Sequence, residues 1–246
     1  MLRLLKYELR KTMMSKLILL GVTLVAEAIF LVGLWGNKEN ALAIGAVLLF
    51  FIAITGIAIM GILSVATLHR DMNTRQGYML FMTPNSCYKI LGAKVIECAL
   101  SILIAGAFFF ALGWLDFSLL LGKGANQQLW DMVRQMIQSV NASIKLDVPH
   151  VSALIFSMLA SWLCTITTAY LADVVSSALL NGKKGNGVVT FLLFLVLNYA
   201  LSKLLTLVPA SLGVITVLVL QGFIALVLAA VMYVITARLM EKYLSV

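Results

Sequence analysis

Six long apolar runs decide what this chain can fold into. They are Leu17–Trp35, Ala41–Leu68, Gly92–Leu115, Val151–Leu180, Gly187–Val208 and Ser211–Ala237. A helix needs about 20 apolar residues to cross a hydrocarbon core of about 30 Å. A barrel strand needs only about 9–11, alternating in character. The runs are continuous and long, so the expected fold is all-α: a polytopic bundle of six transmembrane helices whose backbones are satisfied internally. Composition agrees. Of 246 residues, 62% are hydrophobic and 11% charged, with mean hydropathy +1.05. Soluble domains carry about 25% charged residues, so a water-facing surface of this size could not be coated. Three prolines and short polar islands also exclude a disordered chain. The second and fourth runs exceed what a bilayer needs and are expected to tilt, kink or project.

The amino end imitates a secretion signal. Basic residues precede Leu17–Ala26, and Ala26-Glu27-Ala28 has the small-residue pattern of a cleavage site. The apolar run continues through Ile29–Trp35, which predicts an uncleaved first span instead. Orientation follows from the cations. Six spans put both termini on one side, with thirteen Lys and Arg residues there and five opposite. Both termini are therefore expected in the cytoplasm, with the chain in a bacterial cytoplasmic membrane. The net charge of +8 reads as this bias plus attraction to anionic membrane lipids. No basic stretch is large enough, or interleaved with aromatics, to suggest a nucleic-acid partner.

Catalytic signatures are missing. Cys87, Cys98 and Cys164 are isolated, without CxxC or Cys/His spacing, and indicate neither a disulfide framework nor a zinc site. His69 and His150 fall on opposite sides of the expected membrane, so they cannot pair with each other. Gly182-Lys183-Lys184-Gly185-Asn186-Gly187 lacks the spacing and hydroxyl of a phosphate loop and reads as a turn between spans. The chain is expected to be no enzyme by itself, with no catalytic residue, no metal and no bound cofactor.

The segments between spans say more. Residues 1–16 place Leu2, Leu5, Leu9 and Met13 at helical spacing, with Arg3, Lys6, Arg10 and Lys11 on other faces. This predicts an interfacial amphipathic helix, serving either docking or orientation. Between the second and third spans, polar residues from His69 onward lead into the apolar cluster Tyr78–Phe81. A Thr83-Pro84 stop then suits the first turn of the next helix. Tyr78, Leu80 and Phe81 on a polar loop predict a docking surface. In the outer segment 116–149, Leu129, Met132, Val133, Met136, Ile137 and Val140 line one helical face, and Trp130 suits an interface. This helix either lids the bundle mouth or packs against the outer ends of the spans.

Residues 69–94 resemble the loop of the membrane subunit of the second class of ABC exporters, the six-span ABC transporter permeases. The matching positions are Asp71, Gly77, Tyr78, Leu80, Thr83, Pro84, Ser86, Ile90, Gly92 and Lys94. The six spans, the basic amino-terminal helix and the expected cytoplasmic termini extend the resemblance over nearly the whole chain. It implies that 69–91 is a cytoplasmic coupling region in which Arg70, Asp71, Arg75, Gly77, Tyr78, Leu80, Phe81 and Pro84 engage an ATPase cleft. Two separate ABC ATPase subunits per complex would bind ATP and Mg. A second permease subunit, identical or related, would complete a dimeric pathway. One departure stands out. The last two spans are joined by only Val208–Ser211, and the large outer segment instead separates the third and fourth.

Three acids fall inside spans, and an intramembrane acid is a functional candidate by default. Glu97 follows Lys94 by three residues, which predicts a local ion pair. Asp173 is expected to bond among Tyr170, Ser176 and Ser177, or else to face the pathway. Glu27 has no cation one turn away, and lines a wet pathway or bonds across a subunit interface. The function this adds up to is export of an amphipathic or hydrophobic cargo (peptide, drug or lipid, an amphipathic peptide foremost). The rival readings are a non-transporting sensor or immunity protein, and a secondary transporter.

Overall fold

A computed structural model of the chain describes residues 2–36, 38–73, 86–122, 148–180, 186–206 and 213–244. Six helices account for nearly all of them: α1 (Leu2–Trp35), α2 (Glu39–Asn73), α3 (Cys87–Gly122), α4 (Val148–Leu180), α5 (Asn186–Leu205) and α6 (Val214–Leu244). The described residues contain no strand. All six helices are long and apolar enough to cross a membrane. Phe110, Ile62, Val188 and Val196 are each at least 66% exposed, a cost in water that disappears in lipid. The chain is a multi-pass helical membrane protein.

The helices outrun the apolar runs. α5 has 20 residues, and the others have 31 to 36, so at 1.5 Å per residue α5 is about 30 Å long and the rest about 47–54 Å. Apolar character marks where hydrocarbon ends, whereas a helix ends only where the backbone is broken. No proline or glycine interrupts residues 2–20, so the basic amino-terminal stretch and the first span form one unbroken helix. Likewise α2 carries His69, Arg70 and Asp71 in its last two turns, and α3 continues through Asp116. The expected outer helix at 129–140, with Trp130, Met132, Val133, Met136 and Ile137, lies outside the described residues.

The chain divides into two units, each with its own packing. Unit 1 contains residues 1–64 and 96–135. In it α1 and α2 form an antiparallel hairpin, turned by Gly36 N–H donating to Val32 O (2.9 Å) and Lys38 N–H to Gly33 O (3.1 Å). Glycines let the two backbones nearly touch. A Cβ on Gly33 would lie 2.4 Å from the Leu42 nitrogen, and one on Gly45 2.6 Å from the Phe30 Cα. Further along, Gly56 faces Leu19, so each advance on one helix meets a retreat on the other. Small residues at such crossings are how membrane helices gain van der Waals contact without a hydrophobic drive.

Unit 2 contains residues 65–95 and 136–246. α6 lies along α4, and α5 packs on α4 as well. Their shared core is Ala160, Cys164, Leu201, Ala225 and Ala229, again small at the crossing. Gly222 accepts the Phe156 ring, whose Cε1 would lie 2.6 Å from an added Cβ. Cys164 here and Cys98 in unit 1 are free and buried, as expected of small core residues.

Candidate functional site

Unit 2 concentrates its buried polar groups where α2 ends, α3 begins, α4 ends and α5 begins. Lys94 is 1% exposed, and its Nζ donates to Oδ2 of buried Asp71 at 2.7 Å. The pair joins the end of α2 to the start of α3, bracketing residues 74–85. Ile90, Leu91 and Gly92 are buried on the same turns of α3, so the Ile-x-Gly-x-Lys sequence is packed inward. Tyr233 of α6 adds a tie, its hydroxyl donating to the Tyr88 carbonyl at 2.6 Å. Arg70 is exposed on the last turn of α2. Arg75, Gly77, Tyr78, Leu80, Phe81 and Pro84 lie outside the described residues.

The same unit holds a second pair. Asp173 on α4 is completely buried, and its Oδ1 lies 2.5 Å from Nδ1 of His69 on α2. Thr190 on α5 donates to the same oxygen at 3.5 Å. The other oxygen, Oδ2, has no hydrogen-bond partner among the described residues. Burying a carboxylate is tolerable only with a partner, and His69 supplies it while keeping its own side chain 34% exposed. The expected bonding of Asp173 with Tyr170, Ser176 and Ser177 does not form. Ser176 bonds to Asn186 at the start of α5, and the Asn186 amide donates to Ser177 at 3.0 Å. The two serines serve the α4–α5 corner, and the acid turns to α2.

Unit 1 has its own polar centre. Oε1 of buried Glu97 accepts from Thr12 Oγ1 (2.8 Å), Lys16 Nζ (2.8 Å) and Ser101 Oγ (2.9 Å). Lys16 also donates to Ser101 Oγ at 2.6 Å. The local Lys94–Glu97 pair expected from helical spacing is thus replaced by a pair between α1 and α3. Residues three apart share a helix face, yet each of these two found its counter-ion on another helix, Lys94 on α2 and Glu97 on α1. Farther along the same two helices, the carboxyls of Glu27 and Asp116 come within hydrogen-bonding range of each other. One oxygen of each is buried without a partner among the described residues.

The structure therefore places all three intramembrane acids in interhelical polar contacts. The partners His69, Lys16 and Asp116 were not singled out in the sequence. A usable signal existed: each is polar and stands at an end of an apolar run. Among the described residues no three His, Cys, Asp or Glu side chains converge to hold a metal ion. No family model, curated protein or solved structure matches the chain.

Proposed function

We propose that this chain is the membrane-spanning permease subunit of an ATP-driven exporter, working as a dimer with separate cytoplasmic ATPase subunits. The observation that supports this reading is the Asp71–Lys94 pair. Both residues belong to the sequence pattern shared with six-span ABC permeases, and together they brace the base of the segment carrying Tyr78, Leu80 and Phe81. In this reading that segment docks in an ATPase cleft. Force applied to it enters α2 and α3 through one buried ion pair (instead of dissipating in a loose loop). Both helices then continue without a break for the length of a membrane span. Closure of the ATPase dimer on ATP would move the two docking segments and open the outer mouth. With few fixed charges in the spans, the favoured cargo is amphipathic or hydrophobic, an amphipathic peptide first.

The test changes Tyr78, Leu80 and Phe81 together to Ser, in a chain co-expressed with the ABC ATPase that this reading expects to be encoded nearby. Loss of ATPase co-purification and of ATP-driven transport, from a permease that still elutes as a folded species, is the expected result. A folded triple variant that retains both would refute the docking assignment. Without an ATPase gene nearby or a co-purifying ATPase, the exporter reading itself fails.

A further inference from the structure

Unit 1 contains a cavity of about 190 Å³ between α1, α2 and α3. Its floor includes Met60, Ser101 and Ala105, all buried, and its rim includes Ile104 and Phe108, both exposed. It is therefore a groove open along one side. Drug-sized ligands occupy pockets of about 300–1,000 Å³, so this one is too small for such a molecule. It is far larger than the roughly 30 Å³ that one water occupies. A narrow apolar groove at membrane depth fits a linear hydrocarbon segment.

One end of the groove is polar. Lys16 lines it and stands where the apolar run Leu17–Trp35 begins, the level of a headgroup. Its ammonium has three N–H donors. Glu97 and Ser101 take two, at 2.8 and 2.6 Å. No further acceptor for Lys16 is found among the described residues, and its side chain is 26% exposed. Because Glu97 and Ser101 hold the ammonium in place, the remaining donor is fixed at the groove's mouth. Glu97 balances the Lys16 charge, but Lys6 and Arg10 are exposed on the preceding turns of α1 and add a positive field there. Such a field favours anionic over neutral lipid.

We infer that this groove holds the headgroup-proximal segment of one acyl chain of an anionic phospholipid taken from the bilayer, with its phosphate accepting the third N–H of Lys16. The apolar floor selects the chain, and the lysine selects the headgroup. This site does not depend on the exporter reading.

The wild-type chain in vesicles containing phosphatidylglycerol with a diazirine-labelled acyl chain tests it directly. Cross-links are expected on Leu19, Leu20 and residues 104–109, roughly tenfold above those on the lipid-facing controls Phe50 and Val196. Uniform labelling of exposed apolar residues would overturn the inference. Native mass spectrometry of the detergent-purified chain then separates the two halves of the site. One phosphatidylglycerol should be retained, with diacylglycerol of the same chains bound roughly tenfold more weakly. Ala105→Phe, which fills the groove without touching Lys16, should abolish retention. Lys16→Gln should erase the preference over diacylglycerol while leaving the cross-links in place. Equal binding of the two lipids by the wild type would refute the phosphate contact.

Discussion

Lys94 donates to Asp71 across 2.7 Å, and only 1% of the lysine side chain is exposed. Removing one member of a buried pair strands the other charge, at a cost of about 3–5 kcal/mol. Asp71→Ala should therefore lower the melting temperature in detergent sharply. The exchange Asp71→Lys with Lys94→Asp should recover a good part of the loss. If the exchanged chain is no more stable than the single variant, the pair does not brace the base of the loop.

His69 and Asp173 should respond unequally to truncation. His69→Ala leaves a fully buried carboxylate without its main partner. Asp173→Asn leaves a histidine that already reaches solvent. The first should cost about 3–5 kcal/mol, the second about 1–2. Combining them should restore stability relative to His69→Ala alone. Thermal unfolding followed by size exclusion reads all three, and the reverse ranking would contradict the placement of the two side chains.

The α1–α2 hairpin makes a prediction about single methyl groups. Gly33→Ala and Gly45→Ala push a Cβ into the opposing backbone, which cannot move aside as a side chain can. Overpacking of this kind costs about 1–3 kcal/mol. Gly106 on α3 has nothing within 4 Å of an added Cβ. Gly106→Ala should be neutral or stabilise by up to about 1 kcal/mol through helix propensity. Equal effects at all three positions would mean that the hairpin is looser than described.

Glu27 and Asp116 can be tested by shape and polarity. Glu27→Gln keeps a group that donates to Asp116, so folding should be unaffected. Glu27→Leu removes the contact and should cost about 1–2 kcal/mol, the scale of interhelical hydrogen bonds in membranes. Identical melting temperatures for the two variants would show that the contact contributes nothing. Altered transport by a Glu27→Gln variant that folds normally would instead argue for a role of the carboxyl in a wet pathway.

The helices themselves were legible because hydrocarbon imposes a length that few other environments demand. Their ends were not. Asp116 closes the apolar run of the third span, yet the backbone carries on helically to Gly122, since a charge stops hydrophobicity without stopping a helix. The acids were legible as exceptional, but their partners were not. Spacing within one helix offered Lys94 to Glu97, and Tyr170, Ser176 and Ser177 to Asp173. The counter-groups that formed, Lys16 and His69, are separated from these acids by 81 and 104 positions. Only the packing of separate helices brings such residues together, and no local pattern reports it.

α5 differs from its neighbours in having no length to spare. The other helices can lean, or leave a turn in the headgroups, when the bilayer thickens. α5 spans about 30 Å with hardly any of its surface covered by protein, so a thicker bilayer must thin around it or bring acyl chains onto exposed Lys203. The cost is a fraction of a kcal/mol per ångström of mismatch. Small as that is, it makes α5 the element through which a change of acyl-chain length would register first.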